Sequence, residues 1–203
     1  MKKRTAIIKR KTRETDISVK VSIDGSGITK IKTGIAFLDH MLELFAYHGL
    51  FDLQIQAHGD LAVDIHHTNE DIGIALGQAF KKALGSKAGI RRFGFMYVPM
   101  EEVLASATID INGRGYFSIS KKETGFSSKS VETNKYSFDD AIHFFDSFAK
   151  QLGANLTITV NPTSPDIHTT LEPIFKAFGL ALDQATQIDP RRKGVPSTKG
   201  VID

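Results

Sequence analysis

His66 and Glu70 stand four residues apart in DIHHTNE, residues 64–70, and His168 and Glu172 stand four apart in DIHTTLE, residues 166–172. On an α-helix such residues share a face, with Cβ atoms about 5–6 Å apart. An imidazole and a carboxylate at that separation suit two ligands of one divalent ion. His67 is turned by about 100° from His66 around a helix axis, so it serves a different partner. The chain has no cysteine, which removes disulfides, thiolate nucleophiles and sulfur-based zinc sites. A metal centre must then be built from His, Asp and Glu, a donor set that favours Mn, Fe, Zn, Co or Ni.

The two phrases belong to a longer repetition. Residues 18–31 (SVKVSIDGSGITKI) and 106–119 (SATIDINGRGYFSI) each alternate up to an Asp-Gly or Asn-Gly turn followed by a second glycine, which is hairpin chemistry. DHMLELFAYHGLFDLQIQA, from Asp39, and IHFFDSFAKQLGANLTITV, from Ile142, each read as an amphipathic helix and then a strand, with His40 and His143 at matching places. DIGIALGQAFKKAL and PIFKAFGLALDQA read as second helices, whose matching Gly77 and Gly179 permit close packing. The polar, turn-rich KKETGFSSKSVETN, residues 121–134, reads as a loop inserted in the second copy. The pattern predicts an α/β (α+β) sandwich, a tandem duplication of a strand-strand-helix-strand-helix unit, with sheet on one side and helices on the other. Its divisions are residues 1–88, the first half; 89–185, the second half, with 89–105 as a joining segment; and 186–203, a basic tail.

Five of the seven histidines fall on the repeat, and only His48 and His58 lie outside it. At 203 residues, 41% hydrophobic and 24% charged, the chain can bury a full core. Lys plus Arg exceed Asp plus Glu by only 26 to 23, so a basic surface must come from clustering. Arg92, Arg114, Lys176, Arg191, Arg192, Lys193, Ser197 and Lys199 supply such clusters, with the guanidinium forks and hydroxyl that suit a dianionic phosphate. No apolar run approaches the roughly eighteen residues of a membrane span, and the basic start MKKRTAIIKRKTRETD has no long apolar stretch. The expectation is a soluble, cytoplasmic protein.

TGIAFLDHMLELFAYHG, HHTNED, GIRRFGFMYVPMEE, IDINGRG, the HFF of AIHFF, EPIFKAFGLAL and DPRRKGVPSTKG together resemble the imidazoleglycerol-phosphate dehydratase family from end to end. The resemblance implies a duplicated fold of the ribosomal S5 domain 2-like kind and two manganese ions (Mn2+) per active site. It also implies homo-oligomers of twenty-four subunits built from trimers, with active sites between subunits and no nucleic-acid or membrane partner. The ligands it implies are His40, His66, His67, Glu70, His143, His168 and Glu172. The phosphate of the substrate would meet Arg92, Arg114, Lys176, Ser197 and Lys199. Glu14, in RKTRETDI, matches a glutamate of the family's N-terminal motif and is implied to handle protons, with Glu70 and Glu172 as the other catalytic carboxylates. The implied reaction is loss of water from imidazole glycerol phosphate to give imidazole acetol phosphate, a step of histidine biosynthesis.

The chain departs from the family pattern in three places. Ile65 replaces the second aspartate of DDHH, and Thr169 stands where HHxxE has its second histidine. By the helix geometry above, position 169 turns toward the centre of His66 and Glu70, which is then expected to be a ligand short. Gly115 replaces the proline of the family's GRP turn and is expected to loosen it. A diverged family member with one weakened metal site is therefore an alternative reading. A metal-dependent phosphoester hydrolase is another; it needs a metal-activated water as nucleophile. An RNA-binding module is a third, against which the chain offers no aromatic-rich basic strand.

Overall fold

Ile17, Val19 and Val21 point into the protein while Asp16, Ser18 and Lys20 point outward, the period-two pattern of a strand with one buried face. This strand, β2 (Thr15–Ser22), pairs antiparallel with β1 (Thr5–Lys11) on one side and β4 (Asp52–Gly59) on the other. A short β3 (Thr29–Lys32) joins parallel to β4, giving the order β1-β2-β4-β3. The second sheet repeats the arrangement with β5 (Phe93–Met100), β6 (Val103–Asp110), β8 (Asn155–Asn161) and β7 (Tyr116–Lys121) in the order β5-β6-β8-β7. The computed structural model describes residues 3–121 and 136–202. The loop expected over 121–134 lies outside them apart from Lys121, which ends β7.

Each sheet is followed by the same helical elements: α1 (Ala36–His48) and α2 (His66–Leu84) in the first half, α3 (Phe138–Leu152) and α4 (Ile167–Thr186) in the second. The duplication is thus shown, with helices covering one face of each sheet. The two halves meet helix to helix, α2 against α3 and α1 against α4, so the helices form the middle of the molecule and the sheets its two outer layers. The core follows from this stacking. Phe45 of α1 stacks on Phe178 of α4 with ring centroids 4.9 Å apart, and Phe80 of α2 meets Phe148 of α3 edge-on at 5.8 Å. All four rings are fully buried.

Two features of the repeat differ from the sequence reading. Each unit has three strands before its first helix, because β1 and its counterpart β5 are full edge strands; β5 lies within residues 89–105, read above as a joining segment. A charged strand and an apolar one, neither alternating between polar and apolar residues, gave too weak a signal. The glycine turns also do not close hairpins, since β4 inserts between β2 and β3, and β8 between β6 and β7. Asp52 at the head of β4 explains the first case. Its Oδ1 accepts from the amides of Ser26 at 2.8 Å and Ile28 at 3.2 Å, so the loop is drawn across the end of β4 instead of folding back. These bonds, from the Ser26 amide first, hold the Asp52 carboxyl below its ordinary pKa.

The helices approach closely where a side chain is missing. A Cβ on Gly77 of α2 would lie 2.6 Å from the Phe148 carbonyl oxygen and 2.9 Å from Gln151 Cβ, both on α3, and one on Gly179 of α4 would strike the Phe45 carbonyl of α1. Alanine in place of glycine inside a helix ordinarily stabilises by about 1 kcal/mol. Gly77→Ala is expected to do the reverse, with overpacking costing about 1–3 kcal/mol. Urea unfolding checks the sign, and a raised midpoint would show that the α2–α3 crossing has room.

Candidate active site

His168 and Glu172 lie one turn apart on α4, whose first turn is capped by Asp166, with the His168 amide donating to Asp166 Oδ1 at 3.0 Å. His168 Nε2 is 2.6 Å from Glu172 Oε2, and His40, brought in by α1, places its Nε2 3.7 Å from the same oxygen. The two imidazoles stack with centroids 5.3 Å apart, and Phe37 meets His168 edge-on. One ligand atom from each of His40, His168 and Glu172 lies within 4.8 Å of the others. The ammonium of Lys176, one turn further along α4, pairs with the other oxygen of Glu172. Burial pushes the Glu172 carboxyl up, but the bonds from Lys176 and His168 outweigh it and leave the group below its ordinary value.

The counterpart cluster is built with the halves exchanged. His66 and Glu70 come from α2, with His66 Nε2 3.8 Å from Glu70 Oε2, and His143 comes from α3, its ring centroid 4.7 Å from that of His66. The α3 helix is fixed at its start by a capping box between Ser137 and Asp140, two turns from the exit of His143 into the cluster. Each cluster therefore takes its paired His and Glu from one half and its third ligand from the other. His67 joins neither. Its Nδ1 lies 3.1 Å from Asp60 Oδ2 and 3.8 Å from Glu14 Oε2, and the Asp60 contact, aided by Glu14, raises its pKa.

Glu14 sits on the β1–β2 turn, where Thr12 Oγ1 accepts from the amides of Glu14 at 3.1 Å and Thr15 at 2.9 Å. Asp71, next to Glu70 on α2, anchors this turn: it accepts from the Thr15 hydroxyl at 2.5 Å and from Arg10 Nε at 2.7 Å. An open cavity of about 370 Å³ lies alongside, lined among others by Arg13, Glu14, His58 and Asp60.

Of the expected phosphate contacts, Arg92, Ser197 and Lys199 come together. Arg92 donates through Nε and Nη2 to Asp110, at 2.6 and 3.1 Å, and through Nη1 to the Pro196 carbonyl at 3.0 Å, which ties it to the tail. Ser197 Oγ accepts from the Lys199 amide at 3.2 Å. Arg114 joins through Asn112, whose Oδ1 accepts from the Arg114 amide while its Nδ2 donates to Asp110. Lys176 stands instead at the His40 cluster. Gly115 does not loosen the Arg114 turn: a Cβ there would strike Lys150 Cα of α3, and the turn is tied by bonds from the Gly113 amide to Gly153 O and from Tyr116 to Ala154 O. The absence of a side chain lets the turn sit against the helix.

Asp60, Asp71, Asp110 and His48 were not singled out from the sequence. Asp71 acts through Arg10 and Thr15, far along the chain, while Asp60 and Asp110 reach His67 and Arg92 across loops and strands whose path no repeat spacing reveals. His48 is two turns beyond His40 on α1, and burial and then the Lys176 charge lower its pKa.

A family model described as imidazoleglycerol-phosphate dehydratase matches residues 33–182. The protein of that name from Methanocella arvoryzae is 52% identical over 199 residues, covering 98% of this chain and 100% of its own length. That from Geobacter metallireducens is 49% identical over 199 residues, covering 98% and 99%. The crystal structure of imidazoleglycerol-phosphate dehydratase from Staphylococcus aureus superposes with a TM-score of 0.78 at 31% identity, covering 91% of this chain and 99% of the other. A Pyrococcus furiosus structure, in complex with (S)-C348, gives 0.79 at 33% identity, covering 96% and 99%.

Removing the Asp71 anchor should free the Glu14 turn. Asp71→Ala is expected to lower stability by about 1–3 kcal/mol, the scale for stranding buried partners, and to speed tryptic cleavage after Lys11 and Arg13. Unchanged cleavage there would show that the turn is held by other contacts.

Proposed function

The chain belongs to the imidazoleglycerol-phosphate dehydratase family, and on that premise we propose that it removes water from imidazole glycerol phosphate to give imidazole acetol phosphate. It is a hydro-lyase of histidine biosynthesis. The observation that carries the site assignment is the convergence of His40, His168 and Glu172 within 4.8 Å, beside the Lys176 ammonium.

Neutral imidazoles and a carboxylate without sulfur fit a manganese ion. His40, His168 and Glu172 would hold one ion, and His66, Glu70 and His143 another, with His67 turned toward the centre of a neighbouring subunit. When bound, the ions would supply Lewis acidity to the substrate's ring, easing loss of a carbon-bound proton that no carbonyl activates. The remaining work falls to the protein's side chains. Glu14 takes the proton from carbon; its carboxylate faces the open cavity, and the Thr12 and Asp71 bonds fix the turn that carries it. Arg92, Arg114, Ser197 and Lys199 receive the phosphate, the Arg92 fork being oriented by Asp110 before substrate arrives. Lys176 adds a point charge beside the His40 cluster.

The same reading makes the protein a cytoplasmic homo-oligomer of twenty-four subunits built from trimers. Supporting it, Phe93, Phe95 and Tyr97 are exposed on alternate positions of the edge strand β5, an apolar surface suited to a protein contact. No helix among the described residues is long and apolar enough to cross a membrane.

Protein loaded with manganese and freed of excess metal is expected to dehydrate imidazole glycerol phosphate, to lose that activity on chelation and to regain it with added manganese. No turnover by the loaded protein would overturn the reading. Glu14→Gln is expected to lower kcat by about 10²–10⁴-fold with manganese content unchanged, and a variant of normal kcat would move the proton-transfer role to another group.

A further inference from the structure

The duplicated positions 67 and 169 are chemically unlike. His67 is partly exposed, 37% at its side chain, and its Nδ1 is engaged by Asp60 at 3.1 Å. A carboxylate engaging one ring nitrogen is the arrangement that orients an imidazole whose other nitrogen ligates a metal. Thr169 is only 6% exposed, and its hydroxyl donates to Asp166 Oδ2 at 3.1 Å. The stretch before Asp166, PTSP at 162–165, has no carboxylate where the first copy has Asp60. The second copy therefore lacks the imidazole and the counterpart of Asp60, and the carboxylate that holds position 169 is the helix cap Asp166.

We propose that the two cation centres of this chain are unequal: the His40, His168 and Glu172 centre binds its divalent ion tightly, and the His66, Glu70 and His143 centre binds its ion weakly. This rests on the manganese and intersubunit reading above. A residue next to the paired histidine is turned by about 100° from it, so His67 does not join His66 and Glu70, and on the intersubunit reading it serves the centre of the other kind. By the same rule position 169 belongs to the centre of His66 and Glu70, where it brings a neutral hydroxyl already committed to Asp166. One centre thus gathers three imidazoles and a carboxylate, the other two imidazoles and a carboxylate.

The geometry within the chain points the same way. Glu172 is 13% exposed and in hydrogen-bond contact with His168, whereas Glu70 is 46% exposed and 3.8 Å from His66. Lys176 opposes this order, since its ammonium holds Glu172 while the corresponding residue after Glu70 is Ile74. A flexible ammonium can swing aside when an ion takes its place; a missing imidazole has no replacement within its copy of the repeat.

The test is a titration of the metal-free protein with Mn2+, following free ion by electron paramagnetic resonance. The expected result is one tight ion per chain and a second at least about tenfold weaker, the lower end of the range for losing a supporting group at a metal site. Thr169→His should tighten the second class and leave the first unmoved. Because position 169 is buried, His67→Thr provides an independent arm at a more exposed site: it should weaken the tight class until the two are alike. Two equal ions per chain in the unaltered protein, or a tight class unmoved by His67→Thr, would overturn the inequality while leaving metal binding intact. No bound manganese at all would overturn the metal reading on which it rests.

Discussion

The close crossing of helices from opposite halves is the constraint on which the rest of the molecule depends. Neither half holds a complete set of candidate ligands: His40 must reach α4 and His143 must reach α2. Those reaches are possible because α1 lies against α4 and α2 against α3 with backbone near backbone, at Gly179 and at Gly73 and Gly77. Phenylalanine stacking fills the space around the crossings. Packing of this kind is stiff, since interiors are close-packed and yield little to added volume. The helical layer is therefore both the core and the frame of the site.

Charge is balanced at Glu172, at Arg92 and at the Glu14 turn by local pairing. Glu172 is half-buried beside Lys176 and His168, and despite that burial their hydrogen bonds, with the Lys176 charge, hold its carboxyl below the ordinary value. Arg92 is neutralised by Asp110 in a two-bond fork, which also sets the plane of its guanidinium. Asp71 does the same for the Glu14 turn, accepting from Arg10 and Thr15 while its neighbour Glu70 faces the second cluster. In the last two cases a residue without an obvious chemical role fixes one that has such a role, a dependence typical of metal and phosphate sites.

The outer layers differ in character although they share a topology. The first sheet presents Lys9, Lys11 and Lys20 outward, whereas the edge of the second presents Phe93, Phe95 and Tyr97. Duplication fixed the backbone path, and the outward positions then diverged because nothing in the core depends on them. The centres show the same freedom at positions 67 and 169, one aimed by a carboxylate and the other tied into its own helix cap.

The sequence by itself determined the duplication, the four helices and the pairing of His66 with Glu70 and of His168 with Glu172. These are local matters: helical period, glycine placement and i, i+4 spacing act within a few residues. It also placed His40 and His143 at matching positions without indicating which helix each would face. Only the tertiary structure decided that the ligands are exchanged between halves, that β4 and β8 insert between strands resembling hairpins, and that β1 and β5 complete the sheets. Asp60, Asp71 and Asp110 likewise became visible only in three dimensions. The physical reason is that strand order and helix crossing are settled by long-range burial and by single side-chain bonds such as those of Asp52, neither of which leaves a periodic trace in the chain.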